Sequence, residues 1–169
     1  MNNQTDLRFL DIARLLSGEA EEIPFDLPVP DCADEESAIT VSLLRFSGRV
    51  YDLSGFVRLS GIVTGAYLGA CARCLAPVRE SFTQEIDLPV TAEPDTSEED
   101  VVVAEGKKID LVLLAQETAF LVFPMRLLCK EDCKGLCPRC GKDLNDGECG
   151  CDRREIDPRL AGLADFFKD

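Results

Sequence analysis

Eight cysteines in four tight groups constrain this chain more than any other feature. They are Cys71 and Cys74, Cys129 and Cys133, Cys137 and Cys140, and Cys149 and Cys151. A ninth, Cys32, stands alone in an acidic stretch and reads as a passive residue. The chain has no histidine. That absence removes Ser-His-Asp and Cys-His nucleophiles, Cys2His2 fingers, histidine-containing facial triads and the zincin pattern. An odd cysteine count fits a fully paired secreted framework poorly. In a reducing compartment, clustered cysteines read first as metal ligands.

Two cysteines separated by two residues can turn both sulfurs onto one metal, as in Cys137-Pro-Arg-Cys140 with Gly141 behind it and Cys71-Ala-Arg-Cys74 at the tip of an expected hairpin. Cys149-Gly-Cys151 is tighter, and Gly150 permits the close approach. Zinc takes four such ligands in a tetrahedron. The expected grouping places Cys137, Cys140, Cys149 and Cys151 on one ion. Cys71, Cys74, Cys129 and Cys133 would then hold a second, stapling the hairpin to the segment after the main helix. One or two zinc ions are therefore expected. A disulfide or thioredoxin-type pair and an iron–sulfur cluster are the competing readings, although neither Cys-x-x-Cys opens a helix after a strand and the spacing differs from the compact ferredoxin run. Four protein ligands leave no open position for water, so the sites read as structural and no catalytic residue is assigned.

Charge narrows the partners. Asp and Glu total 32 against 18 Lys and Arg, a net charge of −14. Non-specific nucleic-acid binding needs a basic surface, so a basic partner is easier to reconcile. The acids concentrate in residues 19–36, where Glu19, Glu21, Glu22, Glu35 and Glu36 are the candidate partner-binding residues. The opposing possibility is a modest basic face built by Arg45, Arg49 and Arg58, the candidate RNA-binding residues, unless these pair with nearby acids. No apolar run approaches the roughly 20 residues of a membrane span, and Met1 to Asp11 lacks the pattern of a signal peptide. A cytoplasmic location is expected.

The periodicities predict a single α+β domain over 1–169. Its body spans 19–128, a cysteine-rich subregion 129–156 and a short amphipathic helix 157–168. Leu7 to Leu16 roughly follow helical spacing, ended by Gly18. Ile23-Pro-Phe25-Asp-Leu27-Pro-Val29-Pro30 alternates, but its prolines confine it to a sheet edge or a loop. Ile39-Thr-Val41-Ser-Leu43, the run 56–68 and the run 78–88 read as antiparallel neighbours joined near Gly55 and Cys71 to Pro77. Glycines 48, 61, 65 and 69 suggest bulges, and hence a curved antiparallel sheet that could approach a barrel. Residues 93–100 read as a loop and Val101 to Val103 as a short strand. Asp110 caps a helix whose inward side is read as Leu111, Leu114, Phe120 and Leu121, with Glu117 near that side and Pro124 closing it. Asp157 and Pro158 open the terminal helix.

Taken together, Cys71-Ala-Arg-Cys74-Leu75, Ile109-Asp110-Leu111 with Glu117, Cys129, the run Cys-Lys-Gly-Leu-Cys-Pro-Arg-Cys-Gly-Lys-Asp-Leu-Asn over 133–145, Cys149, Cys151 and Asp157-Pro158-Arg159 resemble the bacterial YceD family of large ribosomal RNA subunit accumulation proteins. The cysteine-rich end resembles that of the Gram-positive members, while other members have lost much of it, which fits a stabilising role. The resemblance implies a non-enzymatic factor supporting 23S rRNA accumulation and large-subunit assembly. A basic large-subunit ribosomal protein is the implied partner, with direct rRNA binding or processing as the alternative.

Overall fold

In the computed structural model the structure describes residues 8–34, 39–92 and 101–152. The expected loop 93–100, the terminal helix 157–168, Glu35 and Glu36 lie outside the described residues.

Three 15-residue strands carry the fold: β4 (Ile39–Leu53), β5 (Phe56–Ala70) and β6 (Pro77–Thr91). They follow β1 (Phe9–Asp11), α1 (Ala13–Leu16), β2 (Glu22–Pro28) and β3 (Cys32–Asp34), and precede β7 (Val102–Val103), β8 (Lys108–Asp110) and α2 (Leu111–Leu121). Alternation sets the two faces. Phe46, Val50, Leu59 and Val63 point inward and are buried, while Arg45, Arg49, Ser60 and Ile62 lie on the other face. The β4–β5 turn is Ser54-Gly55, with φ of 56° and 92°. Positive φ at both central residues suits the twist of a two-residue hairpin, and Asp52 accepts the Gly55 N–H at 2.7 Å.

The sheet corrects the expected architecture. Its pairing path runs β2-β4-β5-β6-β7, with β3 also on β4, and its ends do not meet. It is open, neither a barrel nor strongly curved, and it is mixed, because β7 runs parallel to β6. Its edges explain why it stays open. Edge strand β2 contains Pro24 and Pro28, which cannot donate to a ladder, and β7 is two residues long. Two of the glycines read as bulge markers, Gly48 and Gly61, serve packing instead. Gly48 pairs directly with Gly61 in unbroken register. A Cβ on Gly61 would come within 2.7 Å of the Phe46 ring, and one on Gly48 would strike the Ser60 carbonyl oxygen and Gly61 Cα. Small residues here admit Phe25 and Phe46, whose ring centroids lie 4.7 Å apart, edge to face.

The sheet's register shift between β4 and β5 falls between Ser42 and Arg45, where Leu43 and Leu44 together stand opposite Gly65, so of the four glycines this one does sit at a bulge. Leu43 has φ 57° and is exposed, so Leu44 points inward where alternation from Val41 predicts Leu43. Asp31 pins this bulge by accepting from Ser42 Oγ at 2.9 Å and from Leu43 N at 3.2 Å.

Helix α2 crosses the inner face. Asp110 caps it, accepting the Leu113 N–H at 3.0 Å. Burial pushes the Asp110 carboxyl up, but the Arg8 guanidinium and the amides of the first turn outweigh it and hold it below the ordinary range. The buried residues of α2 are Leu111, Ala115, Thr118 and Ala119. Leu111 is buried and Leu114 packs against the core as predicted, but the rest of the predicted inward side is corrected: alanines let the helix approach closely, and Phe120, Leu121 and Glu117 face outward. Tyr67 Oη donates to the Ala119 carbonyl at 2.8 Å, fastening the helix to β5. At the N-terminal end the helix is only the four residues of α1, preceded by β1, which pairs with β8.

Candidate metal centre

The β5–β6 connection and the chain after α2 meet at one end of the sheet. Ala72 N donates to the Leu127 carbonyl at 2.9 Å and Leu136 N to the Arg73 carbonyl at 3.0 Å. Arg73 reaches across with Nη1 to the carbonyls of Glu131, 3.1 Å, and Cys133, 2.8 Å. These contacts gather Cys71, Cys74, Cys129 and Cys133. Cys71 Sγ lies 3.8 Å from Cys133 Sγ, and Cys74 Sγ 3.5 Å from Cys129 Sγ. The second set, Cys137, Cys140, Cys149 and Cys151, forms beside the first. In each set all four sulfurs lie within 4.8 Å of one another.

The spacing fits a metal. Zinc–sulfur bonds of about 2.3 Å in a tetrahedron place the sulfurs about 3.8 Å apart. A disulfide requires about 2.05 Å, and all nine cysteines are free thiols. Each set could therefore coordinate one metal ion. Cys32 sits on β3, apart from both sets.

The two Cys-x-x-Cys turns share one hydrogen-bond pattern. Cys71 N donates to the Ala76 carbonyl and Leu75 N to the Cys71 carbonyl; Cys137 N donates to the Lys142 carbonyl and Gly141 N to the Cys137 carbonyl. The residue after the second cysteine is left-handed in both, Leu75 at φ 62° and Gly141 at φ 73°. The sequence signalled this at Gly141, where glycine adopts that conformation without strain. At Leu75 no local signal existed. Asn145 was also missed. It follows Asp143, whose side chain accepts the Asn145 N–H at 2.8 Å. Asn145 Nδ2 donates to Cys133 Sγ at 3.4 Å and its Oδ1 accepts from Lys134 N at 3.0 Å, tying the region of the second set to the first. An Asx turn in Asp143-Leu-Asn145 was the available clue.

Thiol acidity is divided unequally within each set. The backbone amide of Cys129, aided by those of Arg73 and Cys74, pulls Cys71 down to about 6. The amides of Cys140 and Arg139 pull Cys137 down to about 6. Cys133 is also lowered, first by Asn145. The opposite happens at Cys129, where donation to Cys133 and Cys74 holds the proton and pushes the thiol up to about 12. Cys151 is held at about 12 by Cys149 and Cys140. Crowded sulfurs cannot all ionise without a cation between them.

A pH dependence follows. At pH 7 Cys71 and Cys137 are largely thiolate, while Cys129 and Cys151 keep their protons. A thiophilic cation must displace those protons, so loading is expected to release at least one per site. Its heat should then change with the ionisation enthalpy of the buffer. Below about pH 6 protons compete for Cys71 and Cys137 as well, so metal affinity should fall more steeply with acidification there than at neutral pH. Buffer-independent heat of loading, or no steepening of the affinity loss on acidification, would contradict this division of charge.

The arginines expected to make a basic face do share the outer face of the sheet, but each has an acidic partner. Arg45 meets Asp26 at 2.5 Å, Arg49 meets Glu22 at 3.0 Å and Arg58 meets Asp87 at 2.9 Å. Among the acidic candidates, Glu19, Glu21 and Glu22 are exposed at or just before edge strand β2.

Residues 59–167 match the family described as large ribosomal RNA subunit accumulation protein YceD. A Mycobacterium tuberculosis protein is 37% identical over 131 residues, covering 75% of this chain and 63% of that protein; the chain thus spans under two thirds of this relative's length. Bacillus subtilis YlbN is 30% identical over 132 residues, 76% of each chain. The chloroplastic large ribosomal RNA subunit accumulation protein YCED homolog 1 of Arabidopsis thaliana is 27% identical over 142 residues, 65% of this chain and 44% of that protein. No solved structure matches.

Proposed function

The chain belongs to the YceD family of large ribosomal RNA subunit accumulation proteins, and we propose that it supports 23S rRNA accumulation without catalysing a reaction, by holding a small basic protein of the large ribosomal subunit until it assembles. Each cysteine set holds a zinc ion, two per chain, with Cys71, Cys74, Cys129 and Cys133 on one and Cys137, Cys140, Cys149 and Cys151 on the other. Zinc here supplies cross-links, since four thiolates leave no position for a reacting water. The work takes place in the cytoplasm.

The observation that carries the partner assignment is the pairing of Arg45, Arg49 and Arg58 with Asp26, Glu22 and Asp87. Those three arginines already have acidic partners, so they do not form an uncommitted basic face in a chain of net −14. Phosphate binding needs several uncommitted bases. A strongly basic protein needs the reverse, and complementary charge speeds its capture.

Charge variants separate the two readings. Glu19, Glu21, Glu35 and Glu36 changed together to lysine should weaken binding of a basic large-subunit protein at least tenfold at low salt and leave rRNA binding unchanged or stronger. Glu22 is kept, because Arg49 holds it. Arg45, Arg49 and Arg58 changed to glutamine should leave the basic protein bound. Should the arginine set instead abolish support of ribosome assembly while the acidic set has no effect, direct rRNA contact replaces this function.

A further inference from the structure

The outward side of α2 is more apolar than its position warrants. Leu113, Glu117, Phe120 and Leu121 fall at i, i+4, i+7 and i+8 and form one stripe. Leu113 is 47% exposed, Phe120 38% and Leu121 85%. Beside Leu113, across a groove of about 650 Å³, lies Phe9, itself 49% exposed. Val102 and Ile109 lie along the floor. Leu113 and Glu117 line this groove, and Phe120 and Leu121 continue the stripe about one turn beyond it. Exposed apolar side chains gathered in this way mark a contact surface more than scattered ones do.

The charges around the groove choose its occupant. Arg8 is committed to Asp110 at 2.7 Å. Of the remaining charged lining residues, Glu105 and Glu117 face a single base, Lys108. An apolar floor with an acidic rim repels phosphate. A second copy of a chain at −14 would bring its own excess of acids to the same rim.

Resting on the function proposed above, we infer that this groove is the seat of the ribosomal protein. It takes an amphipathic basic segment whose apolar side chains lie on Phe9 and Leu113 within the groove and on Leu121 just beyond it, and whose lysine or arginine side chains meet Glu117 and Glu105. The labour is divided. The acids near β2 steer the encounter and act on the association rate. The apolar groove anchors the complex and acts on the dissociation rate.

Surface kinetics test this division with the zinc-loaded full chain, flowed over small basic large-subunit ribosomal proteins that are purified and immobilised singly. Leu113→Ser with Leu121→Ser should speed dissociation at least tenfold and change association less than twofold. Glu19, Glu21, Glu35 and Glu36 changed to lysine should do the opposite. Both leucines are exposed, so melting midpoint and zinc content should match the parent; benzoylphenylalanine in place of Leu121 gives a second reading and should cross-link the bound protein. If the leucine pair leaves dissociation unchanged and position 121 does not cross-link, while the acidic set still abolishes binding, the groove inference fails and the proposed function stands. If the parent chain holds no basic ribosomal protein, both fail. If the leucine pair instead dissociates a dimer in sedimentation, the occupant is a second copy and the inference is overturned.

Discussion

Cys133→Ala should lower the thermal midpoint by about 8–16 °C, corresponding to about 4 kcal/mol for a chain of this size. Cys140→Ala should lower it by about 60% as much or less. The reason is the length of chain each site closes. Cys74 and Cys129 are 55 residues apart, whereas Cys140 and Cys149 are nine apart by their numbering. Closing the longer loop removes about 1.6 kcal/mol more entropy from the unfolded chain. Cys133 is buried and Cys140 exposed. Cys133 also carries the hydrogen bond from Asn145, so its loss loosens the second set as well. Hydrogen exchange should show opening confined to residues 137–151 in Cys140→Ala, and reaching the β5–β6 hairpin and Leu127 in Cys133→Ala. Equal, small shifts for both variants would mean that neither set holds metal.

Phe46→Ala is expected to lower the free energy of unfolding by about 3–5 kcal/mol, toward the upper end of that range. Phe46 is fully buried. Its ring rests on Gly61 and against Phe25. Neighbours usually soften such a loss by moving inward, but here the surface beneath the ring is the paired backbone of Gly48 and Gly61. That backbone has no side chain to fill the space, so most of the cavity should persist. Denaturant midpoints with an unchanged slope measure the effect. A loss below 1 kcal/mol would mean that the open sheet collapses readily over this point.

Local rules carried well where partners were near in sequence. Asp110 as a cap, Ser54-Gly55 as a tight turn and proline-bearing β2 as an edge all rest on interactions spanning a few residues. The division of eight cysteines into two fours rested on spacing, and the sulfurs gather in those same groups. The failures come from distant partners. The bulge at Leu43 depends on Asp31, twelve residues away. Reading Gly48 and Gly61 as kinks required ignorance of the rings placed over them by β2 and β4, and that error led to the barrel. Choosing the inward side of α2 by size favoured Phe120 and Leu121, whereas Tyr67 and the close approach of β5 select Ala115 and Ala119. Arg45, Arg49 and Arg58 illustrate the same limit, since a run of bases reads as a face until the strands opposite it are known.

The two proposed metal sites are central, because the set of Cys71, Cys74, Cys129 and Cys133 would fasten the hairpin to the chain leaving α2 and the other set would close residues 137–151. Zinc analysis of protein purified without added metal, combined with X-ray absorption at the zinc edge, tests them most directly. Two zinc ions per chain, each with four sulfur neighbours at about 2.3 Å, is the predicted result. A reduced, metal-free protein that keeps its full native structure would contradict it.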